Sequence, residues 1–145
     1  MEKKLNYYIV DACALIVYLR KEEGEEKFCT LLKDENNIFL MHSINLGEVY
    51  YDTLRVSGEI KAKELFEDIS KLPIKIIWNI DITLLELAGK YKTSFHISYA
   101  DSFVLALAEQ ESAKVITTDY TEFESIEKTN LLSFYWLRKP KVKNK

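Results

Sequence analysis

Four carboxylates stand at positions from which they can act together. Asp11 directly follows the apolar run "NYYIV", and Asp119 directly follows the run "KVITT". Glu48 lies one turn inside a predicted helix, and Asp101 lies in the first turn of the predicted helix "SYADSFVLALAEQ". If the two runs are parallel strands, their carboxyl ends meet at the edge of the sheet where such folds bind ligands. The spacing therefore predicts that the four acids converge.

Converging carboxylates favour a particular chemistry. Like charges raise one another's pKa, so several acids at one point stay ionised only if a cation compensates them. Mg²⁺ or Mn²⁺ suits this role, because both ions prefer oxygen ligands and bridge to phosphate oxygens. In sites that hold two ions, the ions lie about 3.5 to 4 Å apart; one ion activates water and the other stabilises the leaving oxygen. An acidic pocket without histidine or cysteine ligands thus indicates a phosphodiester site rather than a zinc site.

Each acid also has a structural interpretation. Asp11 and Asp119 are good N-caps for the segments that follow them, and Ser98 with Asp101 resembles a capping box. Glu48 is compatible with a solvated helix face. Taken together the four favour a shared site, because three of the seven aspartates occupy strand ends or the entrance of the most apolar helix. That helix continues with six apolar residues, 103–108, which predicts packing on several faces.

The elements that position these acids alternate along the chain. Short runs of β-forming residues alternate with segments of helical periodicity, which is typical of an α/β fold with a mostly parallel sheet. The predicted strands are residues 6–10, 38–42, 74–78 and 114–118, with a further apolar run at 131–137. The predicted helices are residues 12–20, 25–33, 44–58, 59–71, 81–92 and 98–110, with a short helical or turn segment at 121–128. We expect one domain over 1–137 and a basic tail over 138–145.

Composition narrows the class of protein. The chain has 145 residues, enough to bury roughly two-thirds of the surface exposed by its unfolded form. It has two cysteines and no apolar run near the ~20 residues of a membrane span, so a reduced cytoplasm is the expected location. Five of the 20 basic residues lie in the last eight positions, which leaves 15 basic against 23 acidic residues elsewhere. Such an acidic body is unlike proteins that bind nucleic acid through a broad basic face.

The ordered motifs resemble those of a known family. "YIVDACALI", "INLGEVYYD", "SYADSFVLALA" and "VITTDYTEF" are similar in sequence and spacing to the four acidic motifs of the PIN domain, over residues 6 to 137. A lone domain of this size looks most like the VapC-type toxins of type II toxin–antitoxin pairs. The resemblance implies a three-layer α/β/α fold, a Mg²⁺-dependent endoribonuclease in which Mn²⁺ substitutes, a homodimer, and a small antitoxin partner.

The resemblance also implies residue roles. Asp11 and Asp101 would be the main Mg²⁺ ligands, while Glu48 and Asp119 would hold a second ion or its waters. Thr117 matches a hydroxyl position that shapes the site, and the supporting acid is Glu122. The chain departs from the family pattern at Cys13, where a serine, threonine or asparagine is common, so one polar contact near the metal is expected to be absent.

Other side chains are interpreted as structural. Asp52 shares a helix face with Glu48, so it either extends the pocket or is a surface acid. His42 and His96 are separated in sequence and are assigned structural or solvent-facing positions, and Cys29 is assigned to the core. The basic tail is either a contact for RNA phosphates or a solvated end.

Three rival functions remain for comparison. A phospho-acceptor receiver domain also gathers acids at strand ends, but it requires an adjacent acid pair after the first strand and an acceptor aspartate after the third. Asp11 stands alone after its strand, and Asn79 and Ile80 follow the third strand. The other rivals are a PIN domain that binds RNA or protein without cleaving it, and a PIN nuclease of RNA processing.

Overall fold

The computed structural model describes residues 4–139, which form a five-stranded parallel sheet with helices on both faces. The strands are β1 (Asn6–Val10), β2 (Asn37–His42), β3 (Ile74–Ile77), β4 (Lys114–Thr117) and β5 (Phe134–Trp136). The helices are α1 (Ala12–Arg20), α2 (Glu25–Lys33), α3 (Ser43–Ser57), α4 (Glu59–Ser70), α5 (Ile82–Ser94), α6 (Tyr99–Glu111) and α7 (Tyr120–Glu127). The predicted α/β/α class is confirmed.

The sheet has the strand order β3-β2-β1-β4-β5. The chain therefore moves outward from β1 to β3 on one side and returns to place β4 and β5 on the other. The direction of winding reverses between β1 and β4, whose residues Val10 and Ile116 are paired in register. Open α/β sheets bind ligands outside the carboxyl ends of the strands at such a reversal. The topology thus marks the ends of β1 and β4 as the place to look for a site.

Strand β1 separates two apolar cores. Successive side chains of a strand point to opposite faces, and here Ile9 packs with α5, α6 and α7, whereas Tyr8 and Val10 pack with the helices of the other face. Helix α6 is buried from Ser102 to Ala108. It contacts three strands as well as α3 and α5, which is why it is apolar on every side. The first turn of α6 is consequently held rigidly over the sheet edge.

The predicted boundaries differ from the observed ones at strand ends. β3 ends at Ile77, because its partner strand β2 ends at His42 and Trp78 therefore finds no pairing position. Trp78 is accordingly 65% exposed to solvent. β4 ends at Thr117 rather than at residue 118, and only Phe134–Trp136 of the predicted final run is a strand. None of the helices within residues 4–139 has the length and apolarity required to cross a bilayer.

Candidate metal centre

Asp11 links the end of β1 to the start of α1. Its side chain is buried, its Oδ1 accepts a 2.8 Å hydrogen bond from the Ala14 backbone N–H, and its Oδ2 accepts one from the Thr117 hydroxyl. Burial raises the pKa of Asp11 to about 7; the two hydrogen bonds oppose this shift, while repulsion from Asp119 and Glu48 adds to it. The capping role is real. It does not by itself account for a carboxylate buried among other carboxylates.

Asp119 lies two residues after the end of β4, at the start of α7. Its backbone N–H donates to the Thr117 hydroxyl over 2.9 Å, and its Oδ1 caps α7 by accepting from the Glu122 N–H over 3.1 Å. Burial raises the pKa of Asp119; the Glu122 N–H bond opposes this shift, and the Glu122 carboxylate adds to it. Thr117 is fully buried and touches both aspartates, so its hydroxyl sets their relative positions.

Glu122 connects α7 to the entrance of α6. One of its carboxylate oxygens, Oε1, accepts a 2.7 Å hydrogen bond from the Ser98 backbone N–H. Ser98 in turn caps α6, because its hydroxyl accepts the Asp101 N–H over 3.1 Å. The half of the capping box that the sequence predicted through Ser98 therefore exists. Glu122, which the sequence predicts as a supporting acid, therefore holds the loop before α6, whose first turn carries Asp101.

Asp101 lies at the centre of the acidic residues. Burial raises its pKa to about 8, and the negative charges of Asp11, Glu48 and Glu122 raise it further. A side-chain hydrogen bond to Glu122 also favours the protonated carboxyl. The side chain is only partly covered, which leaves it accessible from outside the sheet edge.

Glu48 approaches from the other side of the sheet edge on α3. Its Oε1 accepts a 3.4 Å hydrogen bond from the Asn45 side-chain amide, which also donates to the Ala100 carbonyl over 3.0 Å. Burial raises the pKa of Glu48; the Asn45 hydrogen bond opposes this shift, and repulsion from Glu122 adds to it. α3 and α6 thus bring their first turns together above the end of β1.

We call the five acids of this region the acidic cluster: Asp11, Glu48, Asp101, Asp119 and Glu122. Within it, carboxylate oxygens of Asp101, Asp119 and Glu122 lie within 4.8 Å of one another. Asp11 and Glu48 stand outside that trio but close enough to raise the pKa of Asp101. Among residues 4–139, no lysine or arginine forms an ion pair with a member of the cluster.

The chemistry of this donor set fits Mg²⁺ or Mn²⁺. Hard divalent ions take carboxylate oxygens, and a bound ion would replace the protons that the raised pKa values of Asp11 and Asp101 retain. Cys13 lies at the same edge. Burial raises the pKa of its thiol, and the charges of four cluster acids raise it further, so it stays protonated and is a poor metal ligand. The donors offered are thus oxygens.

The remaining sequence candidates lie away from the cluster. Asp52 forms ion pairs with Arg20 and with Arg55, the latter at 2.7 Å, so it is a surface acid. Cys29, which the sequence assigned to the core, is only half-buried, because the core position of α2 is taken by Phe28. Residues 140–145 of the predicted basic tail lie outside the described residues.

The two histidines also lie apart from the acids. His42 is fully buried, accepts the Ile44 N–H at Nδ1 and donates from Nε2 to the Asn79 carbonyl, each over 3.1 Å. It caps α3 and stacks on Phe103, so its role is structural, and burial lowers its pKa. His96 is exposed to solvent.

Sequence reasoning missed Asn45. It is fully buried in the first turn of α3 and is the residue that contacts both Glu48 and the start of α6. Its spacing of three residues before Glu48 was the available signal, since residues three apart share a helix face.

The chain belongs to the PIN domain family, whose family model matches residues 8–128. The strand order excludes the receiver alternative, because flavodoxin-like folds have the order 2-1-3-4-5. No match was found among curated protein sequences.

Solved structures share the fold at low sequence identity. DNA-bound VapBC from Salmonella typhimurium matches with a TM-score of 0.70 and 17% identity, over 92% of this chain and 100% of that one. FitAcB from Neisseria gonorrhoeae matches with a TM-score of 0.65 and 17% identity, over 90% and 97%. VapC20 from Mycobacterium tuberculosis, described as a sarcin-ricin loop cleaving toxin, matches with a TM-score of 0.60 and 14% identity, over 74% and 86%.

Proposed function

We propose that this chain is a metal-dependent endoribonuclease and the toxin of a type II toxin–antitoxin pair. The acidic cluster is the observation that carries this proposal: three of its carboxylates lie within 4.8 Å of one another, the other two raise the pKa of Asp101, and no described lysine or arginine pairs with any of the five. A site that needs an external cation and faces outward from the strand ends suits a phosphodiester substrate.

Each acid of the cluster has a proposed role in binding the ions. Asp11 and Asp101 would hold Mg²⁺ directly, and Glu48 and Asp119 would hold a second ion or its waters. Bound divalent ions supply activation of water and stabilisation of the leaving oxygen in phosphodiester hydrolysis. Thr117 fixes the separation of Asp11 and Asp119 through its two hydrogen bonds.

Glu122 completes the support of this site. Through Ser98 it holds the loop before α6, so the first turn that carries Asp101 is anchored from α7 as well as from the core. Positioning of this kind is how a fold keeps reacting groups in a productive geometry.

RNA is the proposed substrate because structurally similar proteins include a toxin described as cleaving the sarcin-ricin loop. The ions would also let an acidic protein accept a polyanion, since they cancel the cluster's charge at the point of contact. Several similar structures contain a toxin–antitoxin complex, which supports a cognate antitoxin as partner. We further propose a cytoplasmic homodimer, as the family resemblance implies.

Cleavage of total RNA by the purified full chain tests this function. With Mg²⁺ or Mn²⁺ we expect discrete fragments whose mapped ends define a preferred site, and EDTA should abolish them. Absence of cleavage together with a metal-induced rise in Tm would instead indicate a PIN domain that binds without cutting. A gene for a small DNA-binding protein next to this one is expected for a toxin, whereas its absence would favour RNA processing.

A further inference from the structure

Asn45 is placed between two parts of the candidate metal centre. Its side chain is fully buried, and its Nδ2 donates to Glu48 Oε1 over 3.4 Å and to the Ala100 carbonyl over 3.0 Å. One acceptor lies on α3 and the other in the first turn of α6, directly before Asp101. The amide therefore bridges the two helices whose acids approach the sheet edge from opposite sides.

The other end of the same amide has no partner. Asn45 Oδ1 is the one buried side-chain polar atom among the described residues without a hydrogen bond. The orientation of the amide is determined by its neighbours, because a flip would turn Oδ1 toward two other acceptors. An unpaired buried acceptor costs free energy, so the contact with Glu48 is made at the expense of stability.

A second buried asparagine shows the contrasting arrangement. Asn37 is at the opposite end of the sheet, at the start of β2, and both ends of its amide are satisfied. Its Nδ2 donates to the Leu31 carbonyl over 3.0 Å, and its Oδ1 accepts from the Asn6 amide over 3.1 Å. Asn37 ties local structure together, as buried asparagines ordinarily do. Asn45 instead leaves one end unpaired in order to hold a carboxylate.

We propose that Asn45 is a positioning residue of the metal centre: it holds the Glu48 carboxylate against the first turn of α6 and so fixes the placement of Glu48 relative to Asp101. This inference rests on the proposed function, because it assigns Asn45 to the site that would bind the divalent ions. Partners of this kind orient metal-binding carboxylates, and their removal lowers metal affinity.

Substitution of the two asparagines by leucine tests the assignment. Mn²⁺ binding to the full chain is measured by isothermal titration, and Tm is measured on the same samples without metal. In Asn45→Leu we expect Mn²⁺ affinity about 10-fold lower than in the wild type. Its Tm should fall less than that of Asn37→Leu, because removal of the unpaired acceptor offsets part of the cost of leaving the Ala100 carbonyl without its donor. Asn37→Leu should give the reverse, a lower Tm with unchanged Mn²⁺ affinity.

A double-mutant cycle with Glu48→Gln separates positioning from general structural damage. If Asn45 acts through Glu48, the effect of Asn45→Leu on Mn²⁺ affinity should disappear in the Glu48→Gln background. Asn45→Ala is the second variant should the leucine not fold, with the same loss expected. Equal Mn²⁺ affinity in wild type and Asn45 variants, or an undiminished loss in the Glu48→Gln background, overturns this inference alone. A wild-type protein that binds no Mn²⁺ overturns it together with the proposed metal site.

Discussion

Asp52 lies one helical turn beyond Glu48 on α3, yet the surroundings of the two carboxylates differ. Asp52 contacts the guanidinium groups of Arg20 and Arg55, which balance its charge within the chain. Glu48 faces Asn45 and other acids, and its pKa is raised by burial. Asp52 and Glu48 are four positions apart on one helix, yet their electrostatic surroundings differ. The charge of Asp52 is balanced by two arginines of the chain, whereas no lysine or arginine among residues 4–139 forms an ion pair with Glu48.

The difference follows from the fold. Asp52 points to the outer surface, where long side chains from α1 and α3 reach it. The acidic cluster lies at the strand ends, where no lysine or arginine among residues 4–139 forms an ion pair with it. A charged group that the protein does not pair is costly unless a ligand pairs it. An acid that forms an ion pair with a basic side chain of the chain is thus better interpreted as a surface acid, and an unpaired acid as a candidate metal ligand.

Asp101→Asn is the substitution expected to have the largest effect. Asp101 belongs both to the predicted metal pair and to the trio of close oxygens, so we expect RNA cleavage to fall by more than about 100-fold, beyond the 10- to 100-fold typical of outer partners. Asp52→Asn is the matched control and should cleave at the wild-type rate. Initial rates on a mapped RNA site measure both. Equal rates in Asp101→Asn and wild type would remove the cluster from catalysis.

Thr117→Val removes the hydroxyl between Asp11 and Asp119. We expect cleavage to fall about 10- to 100-fold, since both aspartates lose their common partner. The free energy of unfolding should fall by about 1–3 kcal/mol, because the Asp119 N–H loses its acceptor. Urea denaturation and cleavage rates test this.

The neighbouring Thr118 supplies the control for that substitution. Its hydroxyl forms no hydrogen bond among the described contacts, so Thr118→Val should leave both quantities close to wild type. An equal loss in the two variants would mean that Thr117 has no special role.

The stability of the metal-free protein is expected to fall as pH rises. The pKa values of Asp11 and Asp101 are raised to about 7 and about 8, above the unfolded value near 4, so the folded state binds more protons between these limits. The stabilisation contributed by these two carboxyl groups is then fully present below about pH 4 and is lost progressively up to about pH 8. Thermal unfolding in EDTA measures this slope, which Asp101→Asn should flatten and Asp52→Asn should leave unchanged.

The stabilisation of the protein by Mn²⁺ should increase with pH over the same range. Metal binding requires ionised carboxylates, so the rise in Tm produced by Mn²⁺ should grow from about pH 5 to about pH 8. A Tm in EDTA that rises with pH over this interval would contradict the raised pKa values.

Asp52→Asn is expected to have the smallest effect. Its ion pairs involve side chains on the surface, and such pairs contribute about 0.2–1 kcal/mol each. The free energy of unfolding should therefore fall slightly, and less at high salt, with no change in the response to Mn²⁺. Loss of the Mn²⁺ response in this variant would show that the two acidic regions are not independent.

The placement of Asp11 and Asp119 at one edge of the sheet was predictable from the sequence because it follows from one rule. Asp11 and Asp119 directly follow short apolar runs, and parallel strands place such residues at one edge. The burial of α6 was predictable for a similar reason, since residues 103–108 are apolar on every face. Runs of apolar residues carry both kinds of information.

The contacts among side chains were not predictable in this way. Asn45 resembles any polar residue near a helix start, and its burial results from the meeting of α3 with α6, which no local pattern records. The link from Glu122 to Ser98 joins residues 24 positions apart. Trp78 continues an apolar run, but the end of its neighbouring strand excludes it from the sheet. Each of these depends on how elements pack together.

The location of a bound ion tests the central claim most directly. Crystals of the full chain soaked in Mn²⁺ would show the ion by its anomalous scattering. We predict a peak at the carboxyl ends of β1 and β4, contacting Asp101 and at least one other acid of the cluster, and no peak at Asp52. Strong anomalous density only at surface acids such as Asp52, with none between Asp11 and Asp101, would contradict the proposed metal centre.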